Sequence, residues 1–134
     1  MLQPITILIA DDNHYIRKSL ANILDYEPQF QIVGIAETGE QAIFLAAKLE
    51  PDILLLDINM KPLSGFAAIQ PILENNPTIK IIGLSLHHEK AYSRTLFKLG
   101  AHGYMAKSES IDAMLNCMRE VAAGNICIAH NKAA

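Results

Sequence analysis

The sequence predicts an α/β protein in which helices cover both faces of a parallel β-sheet. Short apolar runs alternate along the chain with segments whose apolar residues recur at helical spacing, which is the pattern of repeated β–α units. Residues 53–56 are all apolar and show no alternation, which indicates a strand that is buried on both faces. Right-handed crossovers between such strands produce a doubly wound sheet.

Five strands alternate with five helices in this interpretation. The predicted strands are 5–10, 30–36, 53–57, 79–85 and 102–106. The predicted helices are 14–24, 38–49, 65–74, 89–99 and 110–123. Asn13 and Thr38 are residue types that commonly cap a helix, whereas Pro71 lacks a backbone N–H and is expected to kink or shorten the third helix. The last helix is expected to turn five apolar side chains inward, namely Ile111, Met114, Leu115, Met118 and Val121. Doubly wound sheets adopt more than one strand order, of which 2-1-3-4-5 is common, and the spacing alone does not select one.

Length and composition are those of one globular domain. The chain has 134 residues, of which 51% are hydrophobic, and this is enough for a substantial core. Its net charge of −3 gives no support for direct nucleic-acid binding. We find no apolar run long enough to cross a membrane and no signal peptide, so a cytoplasmic location is expected. Residues 1–124 are expected to form the domain and 125–134 a loose tail or the start of a linker.

The two cysteines give no indication of a metal site. Cys117 and Cys127 do not have the close spacing of a metal-binding or redox pair. Free thiols are the expected state in a reducing compartment.

Polar residues stand where four of the predicted strands end. Asp11 and Asp12 follow the first strand, Asp57 ends the third, Ser85 ends the fourth and Lys107 follows the fifth. The carboxyl ends of the strands are where open α/β sheets bind ligands. Each residue alone would also fit a helix cap, a turn or a solvated side chain, but the coincidence of all five favours a site.

The chemistry of this group points to phosphoryl transfer. Three neighbouring carboxylates raise one another's pKa unless a cation is present, and Mg²⁺ prefers such hard oxygen ligands. A carboxylate can also attack phosphorus and become an aspartyl phosphate. The hydroxyl of Ser85 and the ammonium of Lys107 are suited to stabilise the charge on the transferred group.

Four segments resemble the receiver domain of two-component response regulators, a CheY-like, flavodoxin-like (βα)5 fold with strand order 2-1-3-4-5. They read ILIADDN, LLLDINMKPLSG, IIGLSLH and GAHGYMAK. The segments LSLH and GYMAK, with the end VAAGNICIA, are most similar to receivers that precede a helix-turn-helix DNA-binding domain. The resemblance implies a phosphoprotein of phosphorelay signal transduction that controls transcription within a longer protein.

The resemblance also implies a role for each matching position. Asp57 would accept a phosphoryl group from a sensor histidine kinase or phosphotransfer protein. Asp12 and Asp57 would bind Mg²⁺ through side chains, Asn59 through its backbone carbonyl and Asp11 through water.

The same resemblance implies a switch. Lys107 would pair with the acyl phosphate, Ser85 would swing its hydroxyl onto a phosphoryl oxygen, and Tyr104 would turn inward. Such a coupled shift biases a two-state surface toward another partner. A homodimer is left open.

Three positions are expected to modulate the site, and a fourth to alter the loop after Lys107. Lys61 stands where many receivers have proline and adds an ammonium beside the Asp57 loop. Leu86 replaces a small residue and is hypothesised to narrow access to the site, while His87 is hypothesised to tune the lifetime of the acyl phosphate. Ser108 replaces a proline that is often cis, so we expect a trans peptide after Lys107.

The same α/β architecture also occurs in three other classes of function. Phosphatases with an aspartate nucleophile generally carry a second aspartate two residues later as acid and base, and here that residue is Asn59. A flavin site needs a phosphate-binding loop after the first strand, which Asp11 and Asp12 would repel. The remaining alternative is a receiver that acts as a protein–protein interaction module without phosphorylation. In neither receiver interpretation is the chain an enzyme with an external substrate.

Overall fold

The fold is that of a computed structural model, which describes residues 3–86 and 90–129. The strands are β1 Ile5–Ala10, β2 Phe30–Ala36, β3 Ile53–Asp57, β4 Lys80–Ser85, β5 Gly103–Ala106 and β6 Cys127–Ala129. The helices are α1 His14–Asp25, α2 Gly39–Leu49, α3 Gly65–Asn75, α4 Lys90–Leu99 and α5 Ile111–Ala122. Every paired strand runs parallel, in the order β2-β1-β3-β4-β5-β6. The doubly wound fold and the order of its first five strands are therefore confirmed.

The sheet has a sixth strand where five were predicted. β6 lies in the segment expected to be a loose tail, and its Cys127 N–H donates to the carbonyl of His102 at 3.1 Å. Three residues are too few to show a strand period, and their pairing depends on the exposed edge of β5 being nearby in space. Residues 130–134 lie outside the described residues, and the domain boundary at residue 124 stays a prediction.

Polar side chains begin four of the helices. The Asn13 side chain accepts hydrogen bonds from the backbone N–H groups of Tyr15 and Ile16 at the start of α1. Thr38 caps α2 in the same way, and Ser64 and Ser110 cap α3 and α5. The two predicted caps are confirmed, and each removes an unsatisfied donor from the first helical turn.

Two apolar layers fill the space between the sheet and its helices. Leu54 belongs to the layer beneath α2, α3 and α4, and Leu55 to the layer beneath α1 and α5. Successive strand residues point to opposite faces, which explains why the run at 53–56 is continuously apolar.

Two details of the helices differ from expectation. Ile111 was expected to face the core but is 52% exposed, because it is the first residue of α5 and lies at the rim of the groove toward α1. Pro71 does not shorten α3, which continues to Asn75. Within the described residues, no helix has the length and apolar character needed to cross a bilayer.

Candidate functional site

The carboxyl ends of four adjacent strands bring the predicted polar residues to one edge of the sheet. β1 pairs with β3, β3 with β4, and β4 with β5, so the residues that end or follow these strands are neighbours. An open cleft of about 340 Å³ lies there, and its lining includes Asp12, Asp57 and Lys107. A larger cleft, about 540 Å³, lies at the opposite edge, where the strands begin, and contains none of these residues.

Lys107 links the carboxylates of two strands. Its Nζ lies 2.7 Å from Oδ2 of Asp11 and 3.3 Å from Oδ1 of Asp57. The backbone N–H of Lys107 donates to the carbonyl of Ser85 at 2.7 Å, which ties the end of β5 to the end of β4. The ammonium is thereby placed between two buried carboxylates, and a phosphoryl group on Asp57 would lie within its reach.

Asp57 is a buried carboxyl group with a raised pKa. Its side chain is 2% exposed, and its Oδ1 accepts the backbone N–H of Asn59 at 3.0 Å. The pKa of Asp57 is raised to about 6, chiefly by burial; the Asn59 N–H and the ammonium of Lys107 lower it, and the charge of Asp11 adds to the rise. Ionised Asp57 is therefore a poorly solvated base, which is favourable for a nucleophile.

The acidic residues fit a divalent cation. Asp11, Asp12 and Asp57 each offer a carboxylate oxygen, and these oxygens all lie within 4.8 Å of one another. Three carboxylates and the single ammonium of Lys107 leave a local charge of −2 when all are ionised. Hard oxygen donors with this charge suit Mg²⁺, which the three aspartates would hold.

The loop after Asp57 depends on a glycine at the start of α3. The Gly65 N–H donates to the carbonyl of Ile58 at 3.2 Å, which folds the loop back on the strand. A Cβ at Gly65 would collide with the backbone carbonyl of Asp57 and the Cα of Ile58. This close approach of backbone to backbone is possible only without a side chain.

The two expected switch residues are both buried. Ser85 ends β4, and its Oγ donates to Oδ1 of Asn59 at 3.4 Å. Tyr104 is 2% exposed and packs within the apolar layer under α2, α3 and α4. The tyrosine is thus in an inward position, and the role of both residues as a switch stays a prediction.

The three expected modulators and Ser108 have different positions. Leu86 is 63% exposed and lines the site cleft, whereas Lys61 is exposed and lies outside that lining. His87 lies outside the described residues. Within the described ranges, the one cis peptide bond is Lys61–Pro62, so the peptide before Ser108 is trans as expected.

Sequence reasoning missed Arg17, which braces the loop that carries the acidic pair. Its Nη1 donates to the backbone carbonyl of Asp11 at 2.8 Å, and its Nη2 lies 3.3 Å from Oε1 of Glu37. The arginine side chain is 12% exposed. The Asp11 carbonyl is only six residues away, but a backbone acceptor leaves no mark in the sequence, and Glu37 is brought close only by the pairing of β1 and β2.

The fold and the acidic cleft together define a receiver-type domain. The family model described as the response regulator receiver domain matches residues 7–119. The chain belongs to the response regulator receiver domain family.

Two curated relatives carry the names of regulators, one of transcription and one of the response to nitrate and nitrite. The chain is 36% identical over 124 residues to the transcriptional regulatory protein DegU of Brevibacillus brevis, with 92% of this chain and 52% of that protein covered. It is 32% identical over 126 residues to the nitrate/nitrite response regulator protein NarL of Escherichia coli K12, with 94% and 58% covered. The chain therefore spans little more than half the length of these relatives.

Solved structures agree with the fold. A LuxR-family response regulator from Aurantimonas superposes with a TM-score of 0.90 at 22% identity, with 95% of this chain and 91% of that chain covered. The CheX–CheY–BeF3–Mg complex from Borrelia burgdorferi superposes with a TM-score of 0.83 at 26% identity, with 88% and 89% covered.

Proposed function

We propose that this chain is a phosphoacceptor domain that receives a phosphoryl group on Asp57 from a histidine kinase or phosphotransfer protein. One observation carries the proposal: the buried Asp57 carboxylate is paired with Lys107 at 3.3 Å, beside two further aspartates that suit Mg²⁺. The same three components, namely a nucleophile, a fixed cation and a metal-binding pair, are what aspartyl phosphorylation requires.

The reaction forms one bond and breaks another. A carboxylate oxygen of Asp57 attacks the phosphorus of a phosphohistidine, and the P–N bond breaks as the imidazole nitrogen leaves with the electron pair. Lys107 stays close to the phosphoryl oxygens and offsets their charge, while Asp11 holds its ammonium from the other side at 2.7 Å. Mg²⁺, when bound by the aspartates, supplies further charge neutralisation.

The bound phosphoryl group would act on the buried switch residues. The Ser85 hydroxyl lies at the end of β4, next to β3 and Asp57, and this position supports its role as a donor to a phosphoryl oxygen. A shift of Ser85 and Tyr104 would change the surface offered to partners. In a longer cytoplasmic protein, this change would control transcription, in keeping with the names of the curated relatives. The chain turns over no external substrate in this proposal.

The test is the intact mass of the protein after incubation with Mg²⁺ and acetyl phosphate. Wild type should gain one phosphoryl group, and Asp57→Asn should gain none. Asp25→Asn is a matched control, since Asp25 is an exposed aspartate at the end of α1, and it should react like wild type.

Chelation of Mg²⁺ should abolish the gain in every variant. A phosphoryl group that persists in Asp57→Asn would overturn the assignment of the acceptor. No gain in wild type, despite demonstrated Mg²⁺ binding, would favour the interaction module that works without phosphorylation, and Leu86→Ala would then test whether the leucine at the cleft closes the site.

A further inference from the structure

We propose that Cys117 and Cys127 are a redox modification site, at which a low-molecular-weight disulfide converts the two thiols into an internal disulfide that ties α5 to β6. This inference concerns the face of the sheet covered by α1 and α5, and it stands apart from the proposed phosphoryl chemistry. Both residues are free thiols in the structure.

Cys117 and Cys127 line the same cleft although they are ten positions apart in the chain. Cys117 is 1% exposed in the apolar layer beneath α5, and Cys127 packs against the same layer from the edge of the sheet. The two side chains therefore share one apolar layer, and both line the same open cleft. An internal disulfide needs such proximity, because its sulfur atoms must approach without a large backbone movement.

The backbone around Cys127 is held in place independently of the thiols. α5 ends before Gly124, which has a φ of 97°, and the chain then turns back along β5. Cys127 pairs in register with Gly103, and its N–H donates to His102 at 3.1 Å. Strand pairing therefore presents one cysteine to the other.

A small oxidant can reach one of the two cysteines directly. Both line an open cleft of about 420 Å³, whose polar residues include Glu109, Asn116 and Glu120. Cys127 is partly exposed there, whereas Cys117 is buried. Burial raises the pKa of the Cys117 thiol well above its ordinary value, with further contributions from Cys127 and the two glutamates. Cys117 thus stays protonated, and the exchange begins at Cys127.

The chemistry is two successive exchanges. The Cys127 thiolate attacks one sulfur of the small disulfide, and the S–S bond breaks to release one small thiolate. Cys117 then gives up its proton to solvent and attacks the Cys127 sulfur of the mixed disulfide; the bond from that sulfur to the small group breaks and expels the second small thiolate, and the two small thiolates take up the protons that the two cysteines release. The protein loses two hydrogens and two electrons, and the small disulfide is reduced to two thiols.

The bond would restrain the strand beside Tyr104. Tyr104 pairs with Ile128, the residue after Cys127, so a covalent link at Cys127 keeps β6 against β5. A three-residue edge strand has few hydrogen bonds of its own and opens easily. Oxidation would therefore reduce the mobility of β6 without altering the acidic cleft.

The test is to incubate the reduced full chain with oxidised glutathione, quench it with N-ethylmaleimide under denaturing conditions, and measure the intact mass. Wild type should lose two hydrogens, bind no maleimide and yield a peptide that joins residues 117 and 127. In hydrogen exchange, the amides of 127–129 should exchange at least about tenfold more slowly after oxidation. Dithiothreitol should reverse both changes.

The single variants separate the two roles. Cys117→Ser should stop at a stable glutathione adduct on Cys127, and Cys127→Ser should leave the buried Cys117 unmodified in the native protein. Cys117→Ala is the replacement if the serine disturbs the core. A stable glutathione adduct on wild-type Cys127, disulfide-linked dimers, or no reaction of either thiol would each overturn the proposal.

Discussion

At the scale of single residues, the burial that makes the ionised Asp57 carboxylate poorly solvated also lowers the stability of the folded protein. Its pKa is raised from 3.8 to about 6, chiefly because burial disfavours the charged form. The folded state therefore binds this proton more tightly than the unfolded state does. The stabilisation that results is complete below pH 3.8 and is lost as the pH rises through about 6. At neutral pH, ionised Asp57 destabilises the metal-free protein.

Asp57→Asn should accordingly raise the free energy of unfolding of the metal-free protein at pH 7.5 by about 1–3 kcal/mol. The gain should be smaller at pH 5, where the native carboxyl group is largely protonated, and should approach zero only below pH 3.8, where the carboxyl group of the unfolded chain is protonated as well. Urea unfolding at pH 7.5 and at pH 5 measures the difference, with Asp25→Asn as the exposed control. A variant less stable than wild type at pH 7.5 would contradict the buried-charge argument.

Arg17 shows how a single side chain can hold a loop. Arg17→Met should lower the free energy of unfolding by about 1–3 kcal/mol, because the Asp11 carbonyl loses a charged donor at 2.8 Å. Lys18→Met is the matched control: Lys18 is exposed, and its loss should cost less than about 0.5 kcal/mol. Denaturant unfolding of the two variants in parallel gives the comparison. Equal free energies of unfolding for Arg17→Met and Lys18→Met would mean that the Arg17 guanidinium does not brace the loop.

At the scale of elements, the packing of α3 on the end of β3 positions the loop that follows Asp57. The helix begins at the point where its backbone touches the backbone of Asp57 and Ile58. Neither the helix nor the strand can move without moving Asp57. In the sequence, this contact is indicated only by Gly65 at the end of the segment LLLDINMKPLSG.

Gly65→Ala should lower the free energy of unfolding by about 1–3 kcal/mol, because the new Cβ must push α3 away from the strand. It should also slow phosphorylation by acetyl phosphate, since Asp57 shares the contact. Gln70→Ala, at an exposed position of the same helix, is the control and should change stability by less than about 0.5 kcal/mol. Normal stability and normal rate in Gly65→Ala would show that the helix adapts without affecting the loop.

At the scale of the whole molecule, parallel strands that end at the same edge of the sheet bring charged residues together there and leave the acidic cleft with an excess of two negative charges. This excess opposes folding in the absence of a cation. A ligand that binds only the folded state stabilises it by mass action.

MgCl₂ should therefore raise the melting temperature in a saturable manner, with a stabilisation of about 2.7 kcal/mol at a hundred times the dissociation constant. Asp12→Asn removes one carboxylate from the cleft and should reduce the effect. NaCl at equal ionic strength controls for general screening. An equal increase with NaCl, or an undiminished increase in Asp12→Asn, would exclude specific binding at the three aspartates.

The sequence by itself determined most of the architecture of this protein. Continuous apolar runs such as 53–56 indicated strands buried on both faces, and caps such as Asn13 and Thr38 indicated where helices begin. These signals are local, because strand burial and helix capping depend on residues within a few positions of one another. The family could also be recognised from the sequence, because its motifs place acidic, hydroxyl and basic residues at the ends of strands.

Only the tertiary structure decided features that depend on contacts between distant segments. The parallel pairing of β6, the ion pair between Arg17 and Glu37, and the exposure of Ile111 at the rim of the core are not visible in any local pattern. The same is true of the raised pKa of Asp57, which depends on how completely neighbouring strands and helices exclude water. Burial and long-range pairing are properties of the assembled layers, whereas helix and strand periods are properties of the chain.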